Sequence, residues 1–122
     1  MIIGRDAVAA FDFDGLSIRD YTAGLDSSSS FAVIGVPPGA THVETWSMRS
    51  DKYYYVVSGS IEFIDAGQTH ELVAGDFCLV GKGERFSYRN TSAMPATVCL
   101  FHTPSFDLDS EVFEAAHDGG SA

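Results

Sequence analysis

Cysteine, basic residues and long apolar runs are all scarce in this 122-residue sequence. The two cysteines, Cys78 and Cys99, are not a close pair, so the chain has neither a disulfide framework nor a thiolate metal knuckle. Only seven Lys and Arg accompany seventeen Asp and Glu, and the formal charge of -10 repels nucleic acid and anionic membrane surfaces. No apolar run approaches the ~20 residues that a bilayer span requires. We therefore expect neither nucleic acid nor a membrane as a partner.

The N-terminus lacks the long apolar core of a signal peptide, because Arg5 and Asp6 follow a very short apolar start. A cytoplasmic protein is therefore expected. The 45% of hydrophobic residues suffices for one core, and a second domain would have none of its own. Nine Phe, five Tyr and one Trp suit the half-buried surface of a β-sheet.

Eight short β-type segments occupy the middle of the chain, separated by Gly, Pro, Asn or Asp. In order they read FAVIGV, THVETWSM, KYYYVVSG, SIEFIDAG, HELVAGD, FCLVGKG, RFSYRN and ATVCLFH. This spacing, with almost no helical periodicity, predicts an all-β fold, a small antiparallel β-barrel or jelly roll.

The two ends differ from this middle, and short helical segments are predicted in both. Residues 1–30 are interpreted as an N-terminal arm and first strands of the same domain, with one helical turn within residues 5–11. Residues 31–104 form the barrel, and residues 105–122 a C-terminal helix and acidic tail. The helix is predicted at SEVFEAAH, with Ser110 as N-cap, Glu111 and Glu114 near the positive end of its dipole, and Gly119 as the stop.

Turn residues at regular spacing divide the middle of the chain into two motifs. Pro37-Pro38-Gly39 opens the first and Tyr55-Val56-Val57-Ser58-Gly59 closes it. The second runs from Gly75-Asp76 through Gly81-Lys82-Gly83 and Phe86 to Asn90. Tight turns between barrel strands need glycine for positive φ or close backbone approach. Together the two motifs resemble those of the cupin superfamily over about residues 31–104.

The resemblance implies four metal-ligand positions inside the barrel, and this chain has none of the usual ligands there. The position of the glutamate ligand falls on Lys52 and that of the last histidine on Phe86. An ammonium group and a phenyl ring cannot coordinate a divalent ion. We therefore expect a barrel without a cofactor, in which the Lys52 ammonium stands roughly where the metal would be.

The remaining two ligand positions depend on the register of residues 41–48. Counted forward from the first glycine of the motif, they fall on Thr45 and Ser47. Counted back from Lys52, they fall on Trp46 and Met48, and this second count is preferred here. Neither count yields a histidine.

A displaced metal site is the alternative. His42 and Glu44 are two residues apart on one predicted strand and so share a face. His102 lies on the last strand of the barrel. Convergence of His42, Glu44 and His102 at the mouth would create a non-standard site for one divalent metal.

Strand alternation predicts a mostly apolar, aromatic pocket with a few polar groups, which is the usual composition of a small-molecule site. Lys52 shares a face with Tyr54, and Phe86 shares the interior with Tyr88. The candidate catalytic residues are Lys52, Tyr54, Tyr88, His102 and Glu44, and the candidate substrate-binding residues are Trp46, Met48, Phe86 and His42.

Lys52 is the most informative of these residues, because a buried lysine is rarely tolerated without a reason. One explanation is a structural ion pair with Glu44. The other is functional: desolvation would lower the pKa of Lys52 and make it a general base, or its charge would hold a substrate carboxylate.

Two functions are compatible with such a pocket without a metal. The first is acid–base chemistry of the isomerase, cyclase or dehydratase type on a small anionic or aromatic metabolite. The resemblance supports it, since some cupins of nucleotide-sugar metabolism and polyketide tailoring are thought to work this way. The alternatives are a non-catalytic ligand-binding barrel and the metalloenzyme with displaced ligands. Tyr53 and Tyr55 on the outer face, with the N-terminal segment, also predict a homodimer, the common state of small cupins.

Overall fold

In the computed structural model, which describes residues 1–114, two antiparallel β-sheets pack face to face. The strands are β1 (Phe11–Phe13), β2 (Leu16–Asp20), β3 (Ser30–Val36), β4 (Thr41–Ser47), β5 (Asp51–Ser58), β6 (Ser60–Asp65), β7 (Gln68–Val73), β8 (Phe77–Val80), β9 (Phe86–Arg89), β10 (Ala96–Thr103) and β11 (Glu111–Phe113). One sheet has the order β1-β2-β3-β10-β5-β8 and the other β11-β4-β9-β6-β7. The predicted all-β fold is confirmed, and a 3-10 turn at Arg5–Ala7 falls within the predicted N-terminal segment. Over residues 1–114, no helix has the length and apolar character to cross a membrane.

The C-terminal segment differs from the prediction, since residues 111–113, which were expected in the helix that starts at Ser110, form strand β11. Ser110 ends a 3-10 turn, and its carbonyl accepts a hydrogen bond from the Met48 amide at 2.7 Å. Glu111 then pairs with Ser47 on β4, so β11 covers what would be an open edge of the second sheet. Unpaired edge groups outweigh a local helical pattern here because they are satisfied by a strand and not by a helix. The rest of the predicted helix and tail, residues 115–122, lies outside the described residues.

Gly59, between β5 and β6, shows why the glycine spacing predicted the fold correctly. Its φ is +75°, and a Cβ atom there would lie 2.6 Å from the carbonyl oxygen of Pro95. Any side chain would therefore force the backbone at Pro95 and Ala96 to move.

Strand β4 contains a β-bulge that decides which of its residues face the interior. His42 pairs with Tyr88 and Thr45 with Phe86, so three residue steps on β4 span two on β9. The extra residue lets His42 and Thr45 both point inward while Glu44 points to solvent.

The bulge also settles the register of residues 41–48 in favour of the count that was not preferred. Thr45 and Ser47 are buried, whereas Met48 is 62% exposed and Trp46 lies on the outer side of the strand. The preference for Trp46 and Met48 as interior residues was therefore wrong, because a count back from Lys52 does not allow for the chain reversal after Ser47.

Candidate active site

A cavity of about 260 Å³ lies between the two sheets and is closed on one side by the segment that ends in β11. Apolar side chains from β1, β2, β3, β10 and this C-terminal segment form most of its wall. Five polar side chains also reach it: His42, Lys52, Tyr54, His102 and Glu111. The volume is near the lower end of ligand pockets, which suits a small metabolite.

A buried ion pair joins β5 to β11 at this cavity. Lys52 Nζ donates to Glu111 Oε1 at 2.5 Å, and the two side chains are only 5% and 2% exposed. The second carboxylate oxygen, Glu111 Oε2, is buried and has no hydrogen-bond partner among residues 1–114. The predicted partner, Glu44, is wrong because the bulge turns it outward.

His102 completes the cluster around Lys52. The two residues are direct partners on β10 and β5, which brings His102 Nε2 within 2.9 Å of Lys52 Nζ. The ammonium group donates, so Nε2 accepts and the imidazole carries its proton on Nδ1. Burial, together with the positive charge of Lys52, lowers the pKa of His102 to about 3, and the imidazole is neutral at physiological pH.

The pKa of Lys52 is also lowered. Burial is the main cause, and the Glu111 carboxylate opposes it by favouring the charged form. The ammonium is thus a stronger proton donor than an exposed lysine, yet it is held in place by two hydrogen bonds.

His42 is held on the opposite sheet with one ring nitrogen free. Its Nδ1 donates to the carbonyl of Val43 at 2.8 Å, and its ring stacks on Tyr88 and Phe86 with centroids 4.9 Å and 5.4 Å apart. Burial lowers the pKa of His42 to about 4, and the charge of Lys52 adds to this. With the proton on Nδ1, Nε2 keeps a lone pair that can accept a hydrogen bond or a proton.

The predicted aromatic residues divide into one that lines the cavity and two that support it. Tyr54 lines the cavity, and burial raises its pKa well above the usual value, so its hydroxyl is a donor. Tyr88 and Phe86 are buried behind His42 and do not line the cavity. Burial likewise raises the pKa of Tyr88. Phe86 and Tyr88 therefore pack against the His42 ring and not against the cavity.

Three predicted site residues lie outside the cavity, on the solvent side of β4 and just beyond it. Glu44 pairs with Arg85 at 3.5 Å, and the Arg85 guanidinium lies 3.9 Å from the centroid of the Trp46 ring. Met48 is exposed. The assignments of Glu44 to catalysis and of Trp46 and Met48 to substrate binding are thus corrected by the bulge.

The donor set does not fit the metal that the resemblance implies. The four positions carry Thr45, Ser47, Lys52 and Phe86, and Lys52 places a positive charge among them. The alternative set of His42, Glu44 and His102 does not converge, because Glu44 points away. Nowhere in residues 1–114 do three or more His, Cys, Asp or Glu side chains form a group suited to hold a metal ion.

Glu111 is the site residue that the sequence did not reveal, because its pattern predicted the start of a helix. The signal that could have found it is the need of a buried lysine for a counter-charge. Once Glu44 is excluded, the acidic C-terminal segment is a natural source of one. The alternation of Glu111, Val112 and Phe113 also fits a strand whose first and third residues line a cavity.

Comparison with known proteins identifies the fold. The family model described as "Cupin domain" matches residues 32–102. Among solved structures, Pac13, described as a unique nucleoside dehydratase, is 23% identical, with 93% of this chain and 90% of that chain covered and a TM-score of 0.82. A variant of the Streptomyces protein PAC13 with uridine is 22% identical, with coverage of 93% and 89% and a TM-score of 0.82. A sugar phosphate isomerase from Silicibacter pomeroyi is 19% identical, with coverage of 93% and 92% and a TM-score of 0.75. No curated protein matches the sequence.

Proposed function

This chain belongs to the cupin family, and we propose that it is a metal-independent acid–base enzyme acting on a small hydroxylated metabolite, with dehydration as the favoured reaction. The observation that carries the proposal is the cluster of Lys52, Glu111 and His102 in a mostly apolar cavity opposite the free nitrogen of His42. A buried charge pair is costly compared with apolar side chains of the same volume, which argues for a use beyond stability.

The cavity contains both groups that dehydration requires. His42 Nε2 takes a proton from a substrate carbon, and the electron pair of that C–H bond forms the new C=C bond. The neighbouring C–O bond breaks, and the Lys52 ammonium gives its proton to the departing hydroxyl, which leaves as water. Substrate is thereby converted to an alkene and one water, with no oxidant or reductant.

The electrostatics link the two proton transfers. The charge of Lys52 is one of the causes that keep the pKa of His42 low. When Lys52 gives up its proton, this opposition disappears and His42 becomes a better base. The cavity begins with one cation and one anion and ends with the same total, so no net charge is created in an apolar site.

The comparisons support this reaction class. Pac13 is described as a nucleoside dehydratase, and structures with uridine exist for PAC13 variants in which tyrosine is replaced by phenylalanine or histidine by glutamine. Neutral imidazole and tyrosine groups are also what this cavity presents.

The test is incubation of the protein with a panel of nucleosides and sugars in heavy water, followed by mass spectrometry. Dehydration appears as loss of one water, and proton abstraction alone appears as deuterium at carbon, which also reveals an isomerase. We expect Lys52→Met combined with Glu111→Gln, which removes both charges, to slow turnover by at least about 100-fold.

Arg89→Met combined with Glu62→Gln is the matched control, since it removes an exposed ion pair of 2.7 Å and should leave turnover unchanged. Wild-type turnover that survives in the Lys52 and Glu111 double variant would contradict the proposal. Ligand binding with neither dehydration nor deuterium exchange would instead favour the non-catalytic ligand-binding barrel.

A further inference from the structure

The charges that line the cavity cancel. Within the described chain, Lys52 is the sole cation and Glu111 the sole anion among its lining residues, and they neutralise each other at 2.5 Å. The two lining histidines are neutral at physiological pH, because their pKa values are lowered to about 4 and about 3. The positive charge of Lys52 is therefore not available to hold a carboxylate or phosphate of a ligand.

Two hydrogen-bond acceptors of the cavity remain available, in addition to the donor groups of Tyr54 and His102. Glu111 Oε2 is buried without a partner in residues 1–114, and His42 Nε2 is free because Nδ1 donates to Val43. Leaving a buried polar group unsatisfied is costly, and a ligand that donates a hydrogen bond to it removes this cost. Hydroxyl groups are such donors, whereas an ionised phosphate or carboxylate presents acceptors alone.

A side groove of about 90 Å³ extends the cavity past His102 and adds Asp20 and Ser30 to its lining. The Asp20 carboxylate accepts hydrogen bonds from the backbone amide and hydroxyl of Thr22. A ligand that extends from the cavity into this groove therefore meets a second negative charge.

We infer that the cavity selects an uncharged, polyhydroxylated ligand, such as a nucleoside or sugar without phosphate, and rejects its phosphate ester. The inference deepens the proposed function, because it takes the cavity to be the substrate site of that reaction. It also argues against the anionic substrate that the buried lysine suggested in the sequence. A phosphate group placed here would lose its hydration without meeting a free cation, and in the side groove it would also face the Asp20 carboxylate.

Removing the negative charge of Glu111 tests the inference. Glu111→Gln keeps the shape of the side chain and leaves Lys52 without its counter-charge. The cavity lining of this variant holds no anion, so its preference should move toward the phosphate ester. Glu62→Gln makes the same change of net charge on an exposed side chain and is the matched control.

The experiment is isothermal titration of each protein with uridine and with uridine 5′-monophosphate. We expect the wild type and the Glu62→Gln control to bind uridine at least about tenfold more tightly than uridine 5′-monophosphate. Glu111→Gln should reduce or reverse this ratio of affinities by a similar factor. An equal affinity of the wild type for both probes would overturn the inference. So would a Glu111→Gln ratio identical to that of the wild type, or no binding of uridine by the wild type.

A measurement on the wild type alone covers the case in which Glu111→Gln does not fold. Added salt screens like-charge repulsion in the partly open groove, so the preference for uridine should shrink as ionic strength rises. A preference that salt does not alter would exclude charge as its cause. Uridine binding without turnover would contradict the proposed function and leave this inference intact. Turnover of a phosphate ester would contradict this inference and leave the proposed function intact.

Discussion

Replacing Lys52 by methionine should destabilise the protein more than replacing Lys52 and Glu111 together. Methionine has a similar length and no charge, so the single variant leaves the Glu111 carboxylate buried without a counter-charge. Breaking a buried ion pair from one side costs about 3–5 kcal/mol, whereas replacing both partners by neutral residues is often neutral or stabilising. Lys52→Met alone should therefore lower the free energy of unfolding by about 3 kcal/mol or more.

The surface pair of Arg89 and Glu62 separates the effect of burial from that of contact distance. Its nitrogen–oxygen distance is 2.7 Å, close to the 2.5 Å of the buried pair, but its side chains are 49% and 31% exposed. Exposed pairs contribute about 0–1 kcal/mol because water already solvates both charges. Arg89→Met should thus have a small effect.

Urea unfolding of both double-mutant cycles at neutral pH measures the two coupling energies. We expect more than about 2 kcal/mol for Lys52 with Glu111 and less than about 1 kcal/mol for Arg89 with Glu62. Additive single substitutions at Lys52 and Glu111, or a loss below about 1 kcal/mol for Lys52→Met, would refute the reasoning. A stable but inactive double variant would show that the pair is retained for its chemistry.

Two further predictions concern pH and assembly. The unfolded chain takes up a proton at His42 near pH 6.5 and the folded chain near pH 4, so His42 should lower the free energy of unfolding by about 1.4 kcal/mol per pH unit of acidification in this window, and His102, whose pKa is lowered to about 3, should add a similar loss. Urea unfolding at several pH values should show this slope, and an equal slope in His42→Gln would contradict it. The homodimer remains a prediction. The outer face of the first sheet carries three uncharged aromatic residues that are each 46% to 57% exposed, Tyr55, Phe77 and Phe101. A second copy could cover them in a two-fold contact. Sedimentation at micromolar concentration should give a dimer that Phe77→Ser weakens, and a wild-type monomer would contradict it.

The barrel could be predicted from sequence because its turns leave few choices of residue. Gly59 has positive φ and no room for a Cβ atom, and several turn residues at the right spacing identify the fold even where the ligands are gone. The interior positions of Lys52 and Tyr54 were also predictable, because β5 keeps a regular alternation from its start.

The side-chain directions on β4 could not be predicted, because alternation assumes that a strand contains no extra residue. One extra residue between His42 and Thr45 turns Glu44 to solvent while His42 stays inside. A residue pattern does not reveal such a bulge, since it depends on how β4 pairs with β9, a contact between segments far apart in the sequence.

The same bulge accounts for the dependence of the site on the C-terminal segment. Because Glu44 points to solvent, neither β4 nor β5 supplies a buried carboxylate for Lys52. An isolated ammonium at this depth would be strongly destabilising. The counter-charge therefore has to come from another element, and the open edge of β4 is where an additional strand can pair. Strand β11 satisfies both needs at once, because pairing Glu111 with Ser47 closes the edge and carries its carboxylate to Lys52. Glu111 thus completes the sheet by pairing with β4 and also supplies the counter-charge in the cavity. A local helical pattern at these residues predicts neither role, because both depend on contacts with distant strands.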